Sequence, residues 1–147
     1  MGQQQLLLIL LVTIVIGVAT IVAINVISDG NITSNRDAVR QDLSAAASYV
    51  QSIWERPQIM GGASRKFQEN MTEDEILHFL NVPASEYQPG DTEATNANGR
   101  YFVTIQSDAE LIITGEPVTG PPNLQVNVRR EDDGQWTYEF SDVSEGN

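Results

Sequence analysis

The chain contains no cysteine and a single histidine, His78. Without thiols there is no disulfide framework, no thiolate metal site and no cysteine nucleophile. His78 stands between Leu77 and Phe79 with no nucleophile or ligand cluster near it in sequence. It therefore reads as a structural or surface residue rather than a catalytic one. Positive charge is scarce as well: Lys+Arg number 8 against 20 Asp+Glu, for a formal net charge of −12. Nearly all of that charge follows residue 28, so the polar part of the chain repels phosphates and anionic headgroups, which excludes nucleic-acid binding through a basic patch. No Gly-rich phosphate loop or nucleotide motif occurs, and no cofactor or metal is expected. Glu131-Asp132-Asp133-Gly134 lacks the alternating oxygen spacing of a calcium loop and reads as a solvated turn.

Charge of either sign is absent from Leu6 to Ile27, about 22 residues. At about 1.5 Å rise per residue such a helix crosses a bilayer core of roughly 30 Å. A cleaved secretory signal would have a basic start and a shorter apolar core. Here Met1-Gly2-Gln3-Gln4-Gln5 carries no Lys or Arg. Leu6 where a myristoylation signal has Ser or Thr removes that reading too. Arg36 and Arg40 follow the run and favour a cytoplasmic C-terminal side, a weak signal against export.

Ser28 to Asn35, with its Asp29-Gly30 pair, is expected to end or bend this first helix. Ser34 or Asn35 would then cap a second, amphipathic stretch. Its apolar residues Val39, Leu43, Ala46, Ala47, Val50, Ile53 and Trp54 recur at helical spacing until Pro57 stops it. Gln58 to Asn70 reads as an irregular connection. Thr72 and Glu75 form the capping box of a short helix that Pro83 closes, and Ala84 to Gly99 reads as a surface loop.

From Arg100 the period becomes two. Tyr101-Val103-Ile105, Leu111-Ile113, Leu124-Val126-Val128 and Trp136-Tyr138-Phe140 mark four strands of an antiparallel meander, with the last aromatic set expected in the core. One apolar face per strand requires a cover, and the face from Val39 to Trp54 supplies it. The expected fold is α+β, a hydrophobic helix continuing into an amphipathic helix packed on a four-stranded antiparallel sheet. Its expected organisation is a short leader at residues 1–2, a transmembrane or filament-core helix at 3–28, and a soluble domain at 29–147.

This arrangement, with the opening Met-Gly-Gln-Gln-Gln-Leu-Leu-Leu and the segments Asn35-Arg36-Asp37-Ala38-Val39, Asp42-Leu43, Arg56-Pro57 and Met60-Gly61-Gly62, resembles the type IV pilin and pseudopilin superfamily. The likeness lies in the first 65 or so residues; the strand region matches by pattern only. The resemblance implies processing by a prepilin peptidase after Gly2, leaving Gln3 as the mature N-terminus. It also implies an inner-membrane stage, a pilus assembly machinery and a homopolymeric extracellular filament. Pilins commonly carry glutamate at the fifth mature position, which is Leu7 here. Leu6, Leu10, Ile14, Gly17, Ile21 and Ile24 are the expected packing positions of the filament core. A membrane-anchored pseudopilin or single-pass periplasmic binding protein is the alternative. Asn31 and Asn70 match the three-residue glycosylation acceptor pattern.

Overall fold

The structure, a computed structural model, describes residues 2–84 and 87–143. Met1 of the expected leader, and Ser85 and Glu86 of the expected loop, lie outside the described residues. The chain comprises two compact units, Met1–Ser34 and Asn35–Asn147.

In the first unit the chain is helical throughout its described residues, as part of α1 (Gly2–Glu55). The helix does not end at Asp29-Gly30: the one long helical spine, bent or unbroken, expected over residues 6 to 56 runs unbroken to Glu55. One glycine costs about 1 kcal/mol in a helix, too little to stop propagation between two strongly helical stretches. The Thr33 hydroxyl donates to the Asp29 carbonyl at 2.9 Å, the i−4 back-bond open to a threonine inside a helix. Ser34 and Asn35 accordingly lie within the helix and cap nothing.

The second unit is built around the remainder of α1. Its buried side chains are Val39, Leu43, Ala46, Ala47, Val50, Ile53 and Trp54, the same seven positions that the sequence spacing selects. They join Tyr101, Val103, Leu111, Ile113, Leu124, Val126 and Val128 from the sheet in one apolar cluster. Each large aliphatic side chain so buried stabilises by about 1.5–3 kcal/mol. The connection from Gln58 is partly ordered into a 3-10 turn (Gln58–Met60) and α2 (Phe67–Asn70), both too short for a periodic signal. In α3 (Glu73–Phe79) the expected capping box is present, with the Thr72 N–H donating to Glu75 Oε2 at 3.0 Å.

The sheet has five strands rather than four: β1 (Ala94–Thr95), β2 (Gly99–Ser107), β3 (Glu110–Pro117), β4 (Asn123–Arg130) and β5 (Trp136–Val143). They form an antiparallel meander in sequence order. The extra strand lies inside the stretch expected to be loop, where two residues pairing with Tyr101 and Arg100 give no readable alternation. Trp136, Tyr138 and Phe140 also depart from expectation. Trp136 is half-buried edge-to-face against Trp54 at 5.5 Å, whereas Tyr138 and Phe140 are 40% and 45% exposed. They alternate as core residues do, but β5 is the edge strand and the helix covers the strands beside it.

Gly115 lies opposite Tyr101 in the β2–β3 ladder. A Cβ there would sit 2.6 Å from Val39 Cγ1 and 3.2 Å from Tyr101 Cε1, so the absence of a side chain lets the helix close on the sheet. Gly115→Ala is expected to destabilise the chain by about 1–3 kcal/mol through overpacking. Gly30→Ala, which meets open space in a helix, is expected to stabilise by about 0.5–1 kcal/mol. Thermal melts of the full chain in mild detergent, followed by circular dichroism, check both signs; equal melts for the two variants would contradict this account of Gly115.

Candidate functional site

The first unit offers no reactive group, only surface. Every described residue from Gly2 to Ser34 is exposed, including Gln3 and Asn31. Leu6, Leu10, Ile14, Ile21 and Ile24 are 68, 57, 55, 62 and 61% exposed, and Gly17 has nothing within 4 Å of where a Cβ would stand. The helix is long and apolar enough to cross a membrane. Two of its hydroxyls are satisfied within the helix: Thr13 and Thr20 donate to the Ile9 and Ile16 carbonyls at 2.8 Å each. Such back-bonding leaves no hydroxyl donor facing outward without a partner. The surface can therefore be covered by lipid or by other apolar helices, and water is the one surrounding it disfavours.

The second unit concentrates its polar order around Asp42. Its Oδ2 accepts from the Tyr101 hydroxyl at 2.6 Å, from Asn98 Nδ2 at 2.9 Å and from Asn96 Nδ2 at 3.0 Å. Two turns earlier, Asn35 Nδ2 donates to the Asn98 carbonyl at 2.8 Å, while its Oδ1 accepts from the Thr119 backbone N–H and hydroxyl. Thus the helix holds both the β1–β2 turn and the β3–β4 turn through two side chains. Sequence reasoning did not find this cluster. The available signal was Asn96-x-Asn98-Gly99 ahead of a tyrosine, which marks a turn rich in side-chain amides but not the partner 54 to 59 residues away. The arrangement binds turns together; it presents no nucleophile or acid–base pair.

His78 stacks on Tyr87 with ring centres 5.6 Å apart and lies edge-to-face with Phe79. A cavity of about 320 Å³ adjoins it, lined by Leu77, Asn81, Val82 and Ala94 among others. Tyr87 donates to the Asp74 carbonyl at 3.1 Å. Its hydroxyl is pushed above the ordinary tyrosine value, first by burial and then by the charges of Asp74 and Asp91. Asn70 Nδ2 is engaged with the Ala63 carbonyl at 2.8 Å, whereas Asn31 is exposed on α1. In the turn after β4, Glu131 accepts from Arg129 and Thr137, and the Arg129 bond holds its carboxyl below the usual range. Among the described residues no three His, Asp or Glu side chains cluster as metal ligands.

No protein-family profile, no curated protein and no solved structure matches this chain.

Tyr101 is fully buried, and its phenol is pushed well above its ordinary value of 10 by burial first and by its bond to the Asp42 carboxylate second. The folded chain thus holds this proton more tightly than the unfolded chain does. The associated stability is complete below the ordinary tyrosine value and falls away as pH rises above it. Tyr101→Phe, which cannot ionise, is expected to flatten the fall in Tm between about pH 9 and 11. Asp42→Ala, which leaves the buried hydroxyl without its acceptor, is expected to cost about 1–3 kcal/mol at neutral pH. Melting curves across that pH range check both. An unchanged alkaline slope in Tyr101→Phe would contradict the first expectation.

Proposed function

We propose that this protein is a structural subunit of a type IV pilus-like filament, assembled through its N-terminal hydrophobic helix. The observation that carries the reading is the exposure of every large apolar side chain from Leu6 to Ile27, with none below 45%. So large an apolar surface needs a cover. A bilayer covers it before assembly. Outside the membrane, identical helices can cover one another, and because a head-to-tail contact does not close, the stacking continues into a fibre. Gly17, Ala19, Thr20 and Ala23 let neighbouring backbones approach closely.

On this reading Leu6, Leu10, Ile14, Gly17, Ile21 and Ile24 pack in the filament core and the acidic second unit forms its surface. Prepilin peptidase removes Met1 and Gly2, the inner membrane holds the subunit before assembly, and the finished filament is extracellular. The chain carries out no reaction. The membrane-anchored pseudopilin or single-pass periplasmic binding protein differs in leaving the helix in the bilayer.

The test is electron microscopy of sheared cell-surface fractions, with mass spectrometry of the N-terminal peptide. Filaments of a chain beginning at Gln3 are expected. Filaments retaining Met1 would remove the processing step, and a chain found only in membranes, without filaments, would replace the proposal by the anchored reading. Ile14→Lys places a charge at the middle of the run, which costs about 2.5–3.5 kcal/mol at a bilayer centre. It is expected to abolish filaments while leaving the near-ultraviolet circular dichroism of the second unit unchanged.

A further inference from the structure

Where the β1–β2 turn enters β2 stands Asn98-Gly99, the one Asn-Gly pair of the chain. In an unrestrained chain the nitrogen of a glycine, which has no side chain to obstruct it, can reach the side-chain carbon of the asparagine before it. A bond then forms from Gly99 N to Asn98 Cγ, and the Cγ–Nδ2 bond breaks. Ammonia leaves with the proton of the Gly99 N–H, and a succinimide ring remains. Water opens that ring at either of its two C–N bonds, giving aspartate or isoaspartate at position 98. Water is the only co-reactant.

The fold requires this vulnerable pair. A Cβ at residue 99 would overlap the Glu116 backbone carbonyl on β3, so only glycine fits there. At residue 98 an amide is needed, because Nδ2 donates to the Asp42 carboxylate at 2.9 Å.

The same contacts hold the pair away from its reaction. The Gly99 N–H donates to Asn96 Oδ1 at 3.0 Å, and the Asn98 N–H donates to the same oxygen at 2.8 Å. The leaving nitrogen, Nδ2, is held by Asp42 on α1. Between the two, the Asn98 carbonyl accepts from Asn35 Nδ2 at 2.8 Å and from the Val118 N–H at 3.0 Å. Ring closure needs rotation about the Asn98 Cα–Cβ and Cα–C bonds, and each rotation breaks members of this set. Only when the cluster opens does the Gly99 nitrogen become a nucleophile.

We infer that Asn98 is a deamidation site kept closed by the seating of α1 on the sheet, with Asp42 as its latch. Asp42 and Asn35 both belong to α1, so lifting the helix releases the Nδ2 group and the Asn98 carbonyl together. The conversion runs one way. An aspartate at 98 would face the Asp42 carboxylate across the former hydrogen bond, like charge against like. Isoaspartate would lengthen the backbone of a turn that Asn35 and Val118 hold in place. A chain that has lost its helix seating is thereby marked and hindered from recovering the native turn.

The test follows the residue-98 peptide by mass spectrometry during incubation of the full chain in mild detergent at mildly alkaline pH. The amide is expected to persist in the folded chain and to be lost in guanidinium chloride. Persistence in guanidinium overturns the site, and equal loss in the folded chain overturns its closure. Asp42→Ala is expected to speed the loss in buffer about tenfold, as removal of a charge-assisted bond allows. Ile53→Ala, buried on α1 about three turns beyond Asp42, is the control for general destabilisation and is expected to keep the amide when both variants are held equally far below their Tm. Equal rates in the two overturn the latch. Asn35→Ala frees the Asn98 carbonyl with Asp42 in place, and its rate decides against Ile53→Ala in the same way should Asp42→Ala not fold. Asn98→Asp is expected to lower Tm, and Asp42→Asn added to it is expected to restore part of the loss. An unchanged Tm in Asn98→Asp overturns the one-way character.

Discussion

The second unit depends on the burial of one helix face against one sheet face. Seven side chains of α1 and the inward residues of three strands enclose each other, and Ala63, Phe67, Met71, Ile76, Leu77, Leu80 and Ala94 extend the same cluster. The polar contacts follow from it. Asp42 and Asn35 flank the buried stripe on α1, so their short side chains reach the two turns only when Val39 and Leu43 are seated. Gly115 completes the fit by keeping the approach free of a side chain. Trp54 closes the end of the core, donating its indole N–H to the Asp108 carbonyl at 2.9 Å while the Arg130 guanidinium lies 4.8 Å above its ring. Each of these polar contacts is worth about 1 kcal/mol net. Their larger effect is to select one seating of the helix among the many that apolar contact alone would tolerate.

The first unit obeys a different constraint. It has no core, and its backbone hydrogen bonds are all within one helix, which is the form an isolated segment takes when an apolar solvent surrounds it. The acidic second unit is built for water and the first unit for its exclusion. A chain so divided sets a large apolar surface against water unless lipid or other copies cover it, and that exposure is the physical basis for the proposal that it is a subunit.

What was legible in the sequence was whatever repeats. The helical spacing from Val39 to Trp54 named every buried position of that face, and the alternation in β2, β3 and β4 named their inward side chains. Thr72 and Glu75 announced α3 because a capping box is a local pattern. The misreadings share a cause. Gly30 and Pro-flanked or Asn-rich stretches are local signals that a longer element can override or that a neighbouring strand can recruit, as happens at β1. Tyr138 and Phe140 alternate like core residues, but alternation reports which face a side chain takes and not how far the covering helix extends. The same limit hid the Asp42 cluster, whose members are distant in sequence and come together only when the helix packs on the meander.

The sheet's two edges are unequal. β1 is two residues long and offers little to a further strand, whereas β5 runs for eight and has no strand beyond it among the described residues. Such an edge is a template for addition of foreign or identical strands, above all for molecules crowded in a membrane. Glu139 and Asp142 stand along it, and two copies brought edge to edge in antiparallel sense about Glu139 would set like carboxylates against one another. The edge is thereby guarded against its own kind, so crowding would leave the sheet intact as a separate body rather than fusing neighbours into a continuous β-stack.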